Sequence, residues 1–173
     1  TAGNSGGGND DPVCLSAILS SAPSSVPQIE GEFVRLLDEL KKTHAKEGGG
    51  NDNISDEELD DLFRTTHQCR IPEMPPMLKD AYANAGSVWR GTDAIKDYVA
   101  TAPNEDAART MPSSLIMRGE FDFVSEECIE AWKSVFNTKF LRYKTMKGCS
   151  HHGLFEDGVT YGEIINSFCA EYD

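Results

Sequence analysis

Basic charge is scarce in this 173-residue sequence: 16 Lys and Arg stand against 29 Asp and Glu, a net charge of −13. Phosphate backbones repel such a surface, so nucleic acid is not an expected partner. No apolar run approaches the roughly 18 residues needed to cross a bilayer. No basic-then-apolar leader opens the chain, and no membrane span is expected. The five cysteines, Cys14, Cys69, Cys128, Cys149 and Cys169, include no C-x-x-C pair. An odd, dispersed set argues against a disulfide framework and favours a reducing compartment, cytoplasmic first, with organellar import also compatible. A P-loop and a dinucleotide fingerprint are both missing, so no cofactor is expected. Cys149, His151 and His152 lie together, but adjacent histidines rarely converge on one ion and no partner pair completes a four-ligand zinc site, so no metal is expected either.

What is present is enough apolar sequence for a packed core: 39 % of the residues. Val13–Ser20 is a short apolar run bounded by turn residues, as in a buried parallel strand. Pro23 and Pro27 stop it. An amphipathic helix follows near Gln28–Lys46, with Phe33, Leu36, Leu37 and Leu40 on one stripe. Residues 48–53 read as a linker. Ser55 and Glu58 form a capping box for a second helix with Leu59, Leu62 and Phe63 inside. Its carboxylates Asp56, Glu57, Glu58, Asp60 and Asp61 read as a solvated face or as a rim that attracts a cationic substrate. Met77–Asn84 and Asp93–Ala100 are two further short helices. Residues 28–100 thus read as a helical insertion between strands.

From Pro112 the pattern becomes strand, helix, strand, helix, which is a parallel-sheet unit. Ser114–Arg118 and Phe140–Met146 are the strands. Ser125 caps a helix running to Phe136, with Ile129, Trp132 and Phe136 buried. Gly148–Gly158 is a loop, and Thr160 with Glu163 caps a last helix whose Tyr161, Ile164, Ile165 and Phe168 face inward. Trp132 sits at helix-face spacing and reads as core.

Asp122 follows the first of these strands and His151 the second. Ligands of open α/β sheets bind at the C-terminal ends of strands, so the two side chains share one edge. An Asp after a strand also serves as a turn former, and a loop histidine as polar surface. The pair says more than either member: an acid that orients a histidine acting as general base, in the order acid then histidine.

The stretches LIMRGEFDFVS, GCSHHGLFEDG and YGEIINSF resemble the end of the proline iminopeptidase group of α/β-hydrolases, and AILSSAPSSVP resembles the strand and turn leading into that group's helical cap. The resemblance implies an α/β fold: the C-terminal part of an α/β-hydrolase parallel sheet, residues 13–27 and 101–173, with an inserted helical cap at 28–100. It implies Asp122 as the triad acid and His151 as the base. His152 then lines the pocket, and Phe123 and Trp89 are further candidate substrate contacts.

Two departures qualify this. No G-x-S-x-G elbow or H-G-G-P-G-like oxyanion segment occurs; Gly3-Asn4-Ser5-Gly6-Gly7 lacks the strand–turn–helix setting an elbow needs. Residues 1–12 read as a flexible loop, where nicking concentrates. The expected partner is therefore the N-terminal half of the same hydrolase, cleaved or separate, carrying the serine and oxyanion hole. Second, the group binds its substrate's free amine through carboxylates. Phe123 stands where one follows the triad acid, and the late-cap region Asn84–Trp89 has none. The expectation is a serine hydrolase acting on a peptide, amide or ester bond of a small-molecule or peptide substrate. The alternative is a non-catalytic hydrolase-like subunit in a larger assembly.

Overall fold

The structure, a computed structural model, describes residues 14–47, 54–85 and 95–172. Three parallel strands form one sheet in the order β1 (Ser16–Ser20), β2 (Ser113–Gly119), β3 (Leu141–Met146). β2 is central and nearly all buried; Leu115, Ile116 and Met117 are each 1 % exposed. Alternation along it divides the core. Leu115 and Met117 join Met146, Cys149 and Phe168 under helix α8 (Gly158–Tyr172). Ile116 points the other way, into Val124, Cys128, Ile129, Trp132, Leu141 and Ile29. Three of the five cysteines, Cys69, Cys128 and Cys149, are buried as small apolar groups.

Between β1 and β2 lie α1 (Val26–Glu47), α2 (Asp56–Phe63), α3 (Pro76–Ala83) and α4 (Glu105–Arg109). The Ser55–Glu58 capping box forms as expected, and Leu59 and Phe63 are buried while Leu62 is half-buried. On α1, Leu36 is buried, but Phe33 stays 40 % exposed, its ring resting on Phe63 with centroids 4.3 Å apart. The two ends of the insertion are stitched together. Val99 bridges Ser25, Val26 N–H donates to the Tyr98 carbonyl, and Ala100 N–H to that of Ser24. The helix expected over Asp93–Ala100 is therefore not found within its described part, 95–100. A turn and this bridge replace it, because Val99 forms the extended bridge with Ser25. The linker at 48–53, the loop at 1–12 and Val13 lie outside the described residues.

Further departures from the sequence pattern lie after β2. The helix expected over Ser125–Phe136 breaks into α5 (Glu126–Ile129) and α6 (Trp132–Val135). Tighter three-residue bonding joins them, and the Trp132 indole N–H reaches back to the Ala22 carbonyl at 2.9 Å. Ser125 occupies the N-cap of α5, but its hydroxyl turns to Cys128 Sγ instead of a backbone amide. The loop after β3 contains a short helix, α7 (Gly153–Glu156). The last helix starts two residues before Thr160, whose N–H is itself capped by Asp157 Oδ1 at 3.0 Å. Tyr161, Ile164, Ile165 and Phe168 do pack inward. Among the described residues, no helix is long and apolar enough to cross a membrane.

Gly119, the last residue of β2, is the most tightly enclosed of the described glycines. A Cβ on Gly119 would lie 2.3 Å from the Ser150 carbonyl oxygen and 2.5 Å from that of Cys149. Backbone cannot yield as a flexible side chain can. Gly119→Ala is expected to destabilise the fold by about 3 kcal/mol or more, read from the denaturant midpoint.

Candidate active site

Parallel strands of matched length end together: Gly119 pairs with Met146 in register. The loops that follow are then laced to one another. Glu120 N–H donates to the Met146 carbonyl and Phe121 N–H to the Cys149 carbonyl, both at 2.9 Å. Gly148, at φ +74°, makes the left-handed turn that returns the second loop, and its N–H donates to the Glu120 carboxylate. This lacing carries Asp122 and His151 to one place. His151 Nδ1 lies 3.0 Å from Asp122 Oδ1. The Asp122 side chain is fully buried, and its Oδ1 also accepts the Val124 N–H at 2.9 Å. Asp122 Oδ2 has no partner among the described residues.

The His151 ring is 22 % exposed. It stacks on Phe123, centroids 4.2 Å apart and planes 28° from parallel, which fixes its tilt. With Nδ1 turned to the carboxylate, Nε2 is left for chemistry and has no hydrogen-bond partner among the described residues. Beside it a cleft of about 250 Å³ is lined by Ser20, Ser21, His151, His152, Leu154, Phe155 and Tyr161. Ser21, at φ +50°, a conformation uncommon for a side-chain-bearing residue, donates its hydroxyl to the His151 carbonyl at 3.2 Å. Cys149 is no nucleophile for this base. It is 3 % exposed, and burial, then the nearby Glu156 and Asp157 charges, push its thiol pKa up, away from the reactive thiolate.

The helical insertion holds the same loop from the other side. Its chain passes from α2 through a π-helical turn, Arg64–Gln68, where the carbonyls of His67 and Gln68 accept the main-chain N–H groups of His151 and His152 at 3.2 and 3.0 Å. Glu156 clamps a third contact: its carboxylate accepts the Ser150 N–H and hydroxyl and the Arg70 N–H. Tyr82 on α3 lies 2.8 Å from His152 Nε2 and accepts from the Gln68 amide at 2.7 Å. Burial first, then the neighbouring His151 charge, lower the His152 pKa to about 4. A neutral His152 therefore accepts a hydrogen bond from the Tyr82 hydroxyl on Nε2 and carries its own proton on Nδ1.

Of the residues singled out from sequence, Asp122, His151, Phe123 and His152 come together here, while Trp89 lies outside the described residues. Trp132 is 8 % exposed, in the core. Sequence reasoning missed His67, Tyr82 and Glu156. Only Glu156 carried a signal, as an acid inside the histidine loop.

No protein-family model matches the chain. It is 30 % identical over 166 residues to the proline iminopeptidase of Thermoplasma volcanium, covering 87 % of this chain and 55 % of that protein. Among solved structures it is similar to VinJ, with a TM-score of 0.69 at 16 % identity over 92 % of this chain and 58 % of the other. It is also similar to the proline iminopeptidase of Mycobacterium smegmatis, with a TM-score of 0.68 at 14 % identity over 91 % and 57 %. The fold is that of an α/β-hydrolase, and the sequence resembles a proline iminopeptidase. The chain spans about half the length of this curated relative, which fits the C-terminal half.

The depressed His152 pKa has a pH consequence. Unfolded, the ring takes its proton near pH 6.5; folded, only near 4. The unfolded state therefore binds more protons between these values, so this contribution is full above pH 6.5 and is lost as pH falls toward 4. His152→Gln should flatten the decline over that window, measured as denaturant midpoint against pH in both proteins.

Proposed function

We propose that this chain supplies the acid and the base of a serine hydrolase, proline iminopeptidase-like in its core, that cleaves a peptide, amide or ester bond. The 3.0 Å contact between Asp122 Oδ1 and His151 Nδ1, in a histidine that lines a cleft, carries this reading. The nucleophilic serine and the oxyanion donors come from polypeptide outside these 173 residues, on the same protein or a partner chain. Two observations support that. Among the described residues, no hydroxyl meets His151 Nε2, and β1 lies at the edge of the sheet, where its outer side can pair with another strand. Residues 28–100 act as the cap that walls the substrate pocket.

In this mechanism the serine attacks the acyl carbon as His151 Nε2 takes its proton. The imidazolium then gives that proton to the leaving group. Asp122 holds the Nδ1–H tautomer and stabilises the charged ring. Water repeats the sequence on the acyl-enzyme, with backbone amides holding the oxyanion in both halves. Phe123 offers the substrate no negative charge beside the acid, which favours acyl groups that do not depend on a free amine there. The same departure is what a non-catalytic subunit would carry.

Fluorophosphonate labelling of the intact protein, followed by intact-mass analysis, separates the two. The expected outcome is one covalent adduct on a serine outside this sequence. His151→Ala should abolish it and lower turnover on the order of 10,000-fold, with Asp122→Asn close behind. A folded protein that takes no label, or a His151→Ala variant turning over at the unmodified rate, would sink the proposal in favour of a structural subunit.

A further inference from the structure

We propose that His67 is a positioning residue that keeps the acid and the base of the Asp122–His151 pair in register; this rests on the function proposed above. His67 lies in the π-helical turn Arg64–Gln68, a geometry that recurs at functional sites because it swings side chains out of helical phase. Its ring Nδ1 is 2.8 Å from the carbonyl oxygen of Phe121, the residue before Asp122. A carbonyl only accepts, so Nδ1 carries the proton and donates. The backbone carbonyl of His67 accepts the His151 N–H at 3.2 Å. A single residue thus holds backbone on both loops.

The effect on the acid is direct. The peptide plane joining Phe121 to Asp122 sets the direction of the Asp122 side chain. Phe121 N–H is tied to the Cys149 carbonyl at 2.9 Å, and Phe121 C=O is tied to His67. With both ends of this residue fixed, the plane cannot rock. Without the His67 donor, the Phe121 carbonyl loses its tie to the insertion and, among the described residues, only ring contacts join the acid loop to that side, while the base loop remains held by the His67 and Gln68 carbonyls. The two partners of a 3.0 Å contact could then slide relative to each other. The His67 ring also packs on Phe63, with centroids 5.4 Å apart, so ring packing and hydrogen bonding must be separated by experiment.

Two substitutions in the intact protein separate them. His67→Phe keeps a ring against Phe63 and loses the donor. His67→Asn loses the ring and keeps an amide nitrogen near the Nδ1 position. The expected result is that H67F lowers kcat roughly tenfold or more with KM changed less than about twofold, since small misplacements of a catalytic group are costly. H67F should also shift or broaden the far-downfield proton resonance of His151 Nδ1 shared with Asp122. H67N should restore both. An H67F protein with unchanged kcat and resonance would overturn the proposal, as would H67N as impaired as H67F. The resonance also separates the two claims: if the unmodified protein takes no fluorophosphonate yet H67F still disturbs this proton, the positioning role stands and the hydrolase reading falls.

Discussion

The α-carbon of Gly119 lies so close to the carbonyls of Cys149 and Ser150 that any side chain there would collide with backbone. This contact sets how near the two strand-end loops can come. Parallel pairing brings β2 and β3 to an end at one level, but a sheet alone leaves neighbouring strands about 4.8 Å apart and their loops free to diverge. The close approach at Gly119, with the lacing bonds of Glu120, Phe121 and Gly148, converts adjacency into a 3.0 Å hydrogen bond between Asp122 and His151. The stacking of Phe123 and the buried carboxylate both follow from it.

The helical insertion is part of that arrangement rather than an appendage to it. It is closed on itself where Ser25 bridges Val99, so it meets the sheet as a unit. It then grips the histidine loop through three kinds of contact: main-chain bonds from the π-helical turn, the Glu156 carboxylate bridging Ser150 and Arg70, and Tyr82 on His152. An insertion held this way moves with the histidine loop, not independently of it. In the proposed hydrolase, substrate selection and the geometry of proton transfer would then be mechanically linked.

Where local periodicity and local chemistry decide the outcome, the sequence was legible. The strands of the β2–β3 unit, the Ser55–Glu58 box and the inward face of α8 all follow from side-chain pattern within a few residues. Asp122 and His151 were legible because strand ends in a parallel sheet share an edge. The rest was hidden by distance. His67 meets Phe121 across 54 positions and Tyr82 meets His152 across 70, and no local pattern marks either. The break between α5 and α6 similarly depends on Trp132 reaching Ala22, 110 positions away. The end of the insertion reads as helix by composition and becomes a bridge only because Ser25 is there to pair with it.

The same distances imply an order of assembly. Asp122 and His151 are 29 positions apart, so the segment from β2 to the histidine loop can condense around nearby contacts. Joining β1 to β2 instead closes the whole insertion, with Ser24 meeting Cys128 across 104 positions. Longer closures cost more chain entropy and come later. Contact separation therefore favours early condensation of the segment holding Asp122 and His151, with the pairing of β1 to β2 later. The β1 edge, where further strands can attach, is then a surface this chain completes late.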